Sequence, residues 1–172
     1  MKHFFIIVLL SITASMYSQD FINCSKDYLI TRLKDNGFKT NSEAHYFIKD
    51  SSSQVIALFN EFRYSRIEYH LSNNFCDSIS CRSSCNECFD GTLNAVLSNK
   101  KRKWKKSSEN EFISIKKSIK ANSKKEFKVL KLRITSNKRT GELSFLMYNI
   151  WISQSEFKQL KKVKKHREVY SS

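Results

Sequence analysis

The segment Cys76–Gly91, CDSISCRSSCNECFDG, holds four of the chain's five cysteines, Cys76, Cys81, Cys85 and Cys88, and the fifth is Cys24. Thiols this close together support three chemistries. The first is disulfide formation, the default where a chain is exported to an oxidising compartment. Five cysteines leave one unpaired. The expected arrangement ties Cys24 to one member of the cluster and joins two others locally, which would pin the first helix to a linker between two halves of the chain. The second chemistry is zinc binding by Cys76, Cys81, Cys85 and Cys88, since four thiolates complete a tetrahedral shell. Structural zinc sites usually hold two close pairs on separate knuckles, whereas here all four thiols share one short segment with no histidine beside them.

The third chemistry is thiol–disulfide exchange. Cys85-Asn86-Glu87-Cys88 is a CxxC in front of a helical pattern, and a helix N-terminus lowers a thiol pKa. Over these four residues the chain resembles the thioredoxin-like oxidoreductases. The resemblance implies Cys85 and Cys88 as the exchanging pair. Ser84 stands where the family has Trp, the chain has no proline to supply the family's cis-proline, and a βαβ order upstream is missing.

A second feature is electrostatic. Lys100, Lys101, Arg102, Lys103, Trp104, Lys105 and Lys106 interleave six cations with an indole. Cations neutralise phosphate or sulfate, and Trp104 offers a stacking face. The alternative is a solvated basic strand or turn with Trp104 packed on the sheet. From Lys100 onward there are 22 Lys/Arg against 6 Asp/Glu, a net of about +16, while Gln19–Asn99 has 8 against 10. An AT-rich genome enriches lysine everywhere, so the asymmetry between the halves is the informative part. The tail Lys158–Arg167 adds cations, but its only apolar positions are Leu160 and Val163, too few for a membrane-surface helix.

Tyr64, Arg66, Glu68 and His70 alternate along one strand face, where Glu68 and His70 could share a proton or a metal. The ordinary reading of such a row is the wet face of a half-buried strand. His45 and His166 have no evident partner. The nucleophile elbow G-x-S-x-G and the zincin H-E-x-x-H are absent. Gly37, Gly91 and Gly141 are too few to cradle a nucleotide phosphate.

These residues need elements to hold them. Ser25 as N-cap, the stripe Leu29, Ile30 and Leu33, and the stop Asn36-Gly37 predict a helix over Lys26–Asn36. Strand patterns cover Ala44–Lys49, Gln54–Phe62 and Tyr64–Leu71, the last with Ser65, Ile67, Tyr69 and Leu71 on the inner face. Phe89–Asn99 reads as a helix capped by Asp90. Phe112–Lys117, Phe127–Thr135 and Glu142–Ser153 read as strands, with Asn137–Gly141 as a hairpin loop. Gln154–Lys165 reads as a closing helix. CSKDYLITRLKDN and CFDGTLNAVLSN share Cys, Leu, Leu and Asn at similar spacing. A tandem helix-plus-hairpins repeat would account for that sparse match, with halves at residues 24–75 and 85–165.

The expected fold class is therefore α+β, with antiparallel strands, two to three packed helices and a disulfide staple. Lys2, the apolar run Phe4–Leu10 and the small residues up to Ser18 have the layout of a secretory signal peptide, residues 1–18. That leaves residues 19–172 as one secreted or periplasmic domain with no further span. The functional expectation is a non-catalytic module that binds an anionic partner (acidic glycan, lipid headgroup, nucleic acid or acidic protein) through the basic half, without a cofactor. The alternatives are a protein-interaction or inhibitor module of the cell envelope, and an oxidoreductase using Cys85 and Cys88.

Overall fold

The computed structural model describes residues 21–35, 47–48, 54–60, 65–120 and 126–163. The region read as a signal peptide, together with Tyr64, His45 and His166, lies outside them. The elements are α1 (Lys26–Asp35), β1 (Phe47–Ile48), β2 (Val55–Asn60), β3 (Ser65–Ser72) and β4 (Phe75–Ser83), then α2 (Asn86–Leu97), β5 (Trp104–Ser108), β6 (Glu111–Lys120), β7 (Glu126–Ser136), β8 (Leu143–Ser153) and α3 (Gln154–Lys162). The strands form one antiparallel sheet in the order β1-β2-β3-β4-β8-β7-β6-β5.

That order states the architecture. A helix followed by a four-stranded meander occurs twice, and the last strands of the two meanders pair at the sheet's centre. The match between the two helical segments thus has a topological counterpart. Residues 76–83, expected to lie in a linker, instead belong to β4, one of the two central strands. Alternation explains why: Ile79 and Cys81 face inward opposite Met147 and Phe145 of β8, and all four are buried. The serines and charges between them point to the other face and hide the strand from a hydrophobic scan.

Both α1 and α2 pack on one sheet face. Leu29 and Leu33 of α1 and Phe89, Leu93 and Val96 of α2 share a single apolar cluster with Ile56, Tyr69, Leu132, Phe145 and Met147. Ser25 caps α1 by accepting the Tyr28 N–H at 3.3 Å. Helix α2 begins a turn earlier than its apolar stripe indicates. Its N-cap is Cys85, whose Sγ accepts the Cys88 N–H at 3.2 Å, so Asp90 lies inside the helix and does not cap it.

Helix α3 covers the opposite face over β6, β7 and β8. Phe157 and Leu160 pack there on Ile113, Val129 and Ile152, and Phe157 stacks on Phe127 with centroids 4.2 Å apart. A capping box starts this helix directly from β8: Glu156 N–H donates to Ser153 Oγ at 3.2 Å, and Ser153 N–H donates to the Glu156 carboxylate at 2.7 Å. The Ser153 hydroxyl, donating to the Glu156 carboxylate at 2.7 Å, and the Ser153 N–H hold that carboxyl below its ordinary range. Among the described residues no helix is long and apolar enough to cross a membrane.

Candidate anion-binding edge and cysteine sites

The basic run divides between inside and outside. Trp104 is 2% exposed, and its indole N–H donates to Val96 O of α2 at 3.0 Å. It is a core residue that ties the edge strand to α2, and it offers no stacking face. Arg102 and Lys105 are also buried. Arg102 O accepts from Ser114 Oγ, and Lys105 Nζ donates to Val163 O just beyond α3. Lys100, Lys101, Lys103 and Lys106 remain exposed.

The Lys105–Val163 bond has a geometric consequence that spacing could not disclose. It brings the C-terminal end of α3 against the edge strand β5, although the two are 58 residues apart in sequence. Lys161 and Lys162 of the last helical turn, with Lys158 before them, therefore join the end of the sheet that carries Lys103 and Lys106. Cations suit a helix C-terminus because the unpaired carbonyls there carry partial negative charge. Between residues 100 and 163 the exposed acidic residues among those described are Glu109 and Glu156 alone. Glu111 is neutralised: Lys131 at 2.8 Å and Arg133 at 3.8 Å flank it, and the Lys131 hydrogen bond holds its carboxyl below the ordinary range.

A polar cluster occupies the face opposite α1 and α2 in the first half. Glu68 is 7% exposed. Arg66 reaches it at 2.5 Å and Arg82 at 3.8 Å, and Ser80 Oγ donates to it at 3.1 Å. His70 Nε2 lies 3.2 Å from Ser80 Oγ and 3.8 Å from Glu68. With the Ser80 proton directed at Glu68, the histidine must donate to Ser80 through Nε2, so His70 is not set to deprotonate that hydroxyl. The strand-face reading of Arg66, Glu68 and His70 is correct in direction, and β4 supplies the missing partners Ser80 and Arg82.

The cysteines separate into distinct environments. Cys85 and Cys88 form a disulfide, the local bridge that was expected, at the start of α2. Cys24, Cys76 and Cys81 are thiols. Cys76 and Cys81 are both buried, five residues apart on β4, and burial pushes each thiol up to about 12. The fold thus does not gather Cys76, Cys81, Cys85 and Cys88 around one point, and the described residues contain no cluster of three or more metal-ligating side chains. No family model matches the chain, and no curated protein or solved structure is significantly similar to it.

Proposed function

We propose that this chain is an exported, non-catalytic binding module that recognises an anionic polymer or surface through the basic edge of its second half. The observation that carries this reading is the Lys105–Val163 bond, which sets the end of α3, with Lys161 and Lys162, against the edge strand β5 that bears Lys106 and follows Lys103, with almost no exposed carboxylate among the described residues from 100 to 163. Such a surface raises the local concentration of polyanions and binds them with strong salt dependence. The same lysines keep an exposed edge strand from pairing with another chain, a role compatible with binding.

The test is retention of the full chain on a heparin matrix and titration with duplex DNA over a salt series. Triple charge reversal, Lys103→Glu with Lys106→Glu and Lys161→Glu, should elute at clearly lower salt. For DNA, the slope of log K against log salt should fall by roughly 0.9 for each phosphate contact removed. Wild-type retention no stronger than that of a size-matched neutral protein ends the proposal. Unchanged elution of the triple variant removes this edge as the binding site. Capture of one acidic protein that survives high salt would instead favour an envelope interaction module.

A further inference from the structure

Beside the Cys85–Cys88 bridge, the fold sets a second pair of cysteines face to face. The segment before α1 runs antiparallel to the start of β4: Ser25 pairs with Phe75, which places Cys24 opposite Cys76. Their backbones are joined, with Cys76 N–H donating to Cys24 O at 2.9 Å and Asn23 N–H donating to Cys76 O at 2.7 Å. Asn23 has φ 69°, and that bend delivers its own N–H to Cys76. Directly opposed residues of an antiparallel pair have Cα atoms about 4.5–5.5 Å apart, inside the roughly 4.4–6.8 Å that a disulfide spans. Both side chains pack on the same apolar cluster.

We infer that Cys24 and Cys76 are a disulfide-forming pair that locks the N-terminal segment and α1 to the central strand β4, leaving Cys81 as the single thiol. Geometry selects this pairing over the others. Cys81 lies five residues along β4 from Cys76, about 16 Å at strand rise, beyond the reach of any bridge. Cys81 sits instead between Ile67 and Phe145 on the inner face.

The chemistry balances with an external low-molecular-weight disulfide such as glutathione disulfide as oxidant. Cys24 is half-buried and Cys76 fully buried, so Cys24 meets the oxidant first. Its thiolate attacks one oxidant sulfur, and the first glutathione leaves as thiolate. Cys76, losing its proton to solvent, then attacks the Cys24 sulfur of the mixed disulfide and expels the bound glutathione. Two protein thiols are oxidised by two electrons, and one glutathione disulfide becomes two thiols. The weak Cys76 Sγ–H bond to Ser78 O, 3.6 Å long, is given up.

The test starts from the full chain, folded with its cysteines reduced and then exposed to glutathione disulfide under native conditions. Free thiols are alkylated after denaturation without reductant, and the peptides are mapped by mass. The expected result is a Cys24–Cys76 linked peptide, a Cys85–Cys88 peptide and alkylation of Cys81 alone. Recovery of Cys24 and Cys76 as free thiols, as stable glutathione adducts, or bridged to other cysteines overturns the inference. Cys24→Ser and Cys76→Ser should each lower the melting temperature of the oxidised protein by on the order of 10 °C, and the double variant should lower it little further. Additive losses would show that each side chain contributes by packing alone, and would count against the bridge. None of these readouts depends on anion binding.

Discussion

Trp104→Phe separates two readings of the basic run. If the indole is a stacking platform, its replacement weakens polyanion binding. If it is a core residue, as its burial and its bond to Val96 O indicate, the replacement costs stability and leaves binding alone. The magnitude follows from what is lost. The hydrogen bond contributes about 1 kcal/mol. Val96 O also accepts the Asn99 N–H at 3.4 Å, so it is not left without a donor. Phenyl in place of indole removes about 40 Å² of buried apolar surface, near 1 kcal/mol. The unfilled volume adds a cavity cost of about the same size. The sum is about 3 kcal/mol, or roughly 6–12 °C for a domain of this length.

Urea denaturation of wild type and variant gives the stability difference, and heparin elution well below the variant's melting temperature gives binding. The expected outcome is a midpoint shift with unchanged m and an unchanged elution salt. A variant as stable as wild type but eluting early would refute the assignment of Trp104 to the core and restore it to the binding surface.

Two further perturbations probe the rest of the molecule. Glu68→Leu removes the carboxylate shared by Arg66, Arg82 and Ser80; because the arginines are about half exposed and rehydrate, the loss should be about 1–2 kcal/mol in urea denaturation, and a variant as stable as wild type would show that the network contributes nothing. The thiols give a pH signature: burial raises Cys76 and Cys81 from an ordinary 9.0 to about 12, so the unfolded chain loses those protons first. Stability is then full below pH 9 and falls as pH rises through the window from 9 to about 12, by up to about 1.4 kcal/mol per pH unit for each buried thiol. Cys24, raised to about 11, is half-exposed and adds less. With Cys24 and Cys76 bridged, Cys81 is the one of these three thiols left to titrate, so the reduced protein should lose stability more steeply than the oxidised one, by up to about 1.4 kcal/mol per pH unit for Cys76; equal slopes would contradict the burial of Cys76.

What was legible in the sequence was whatever local periodicity encodes. The stripe Leu29–Leu33, the alternation of Leu130, Leu132 and Ile134, and the turn at Asn137–Gly141 each fix an element without outside help. Strand β4 was illegible because its apolar positions are sparse, two of them are cysteines, and the bulge between His70 and Leu71 in the pairing with β3 breaks its alternation at Asp77. The burial of Trp104 was legible as the alternative reading of the basic run, a strand or turn with the indole packed on the sheet, whereas its bond to Val96 O was not. The pairing of Cys24 with Cys76 and the meeting of β5 with α3 come from long-range topology, which no spacing rule contains.

The two halves repeat one topology, and their chemical differences follow from a single asymmetry. In the second half, α3 covers the sheet face opposite α2, and Ile113, Val129, Ile150 and Ile152 answer it with apolar side chains. The equivalent face of the first half has no such helix among the described residues, and the corresponding strands carry Arg66, Glu68, His70, Ser80 and Arg82 instead. An uncovered face must be wettable, and the ion network makes it so while still holding one carboxylate nearly out of solvent. The helix that covers the other half also brings its terminal lysines to the sheet edge. A basic edge in the second half and a neutralised polar face in the first are therefore two results of adding α3 to one half of a repeat.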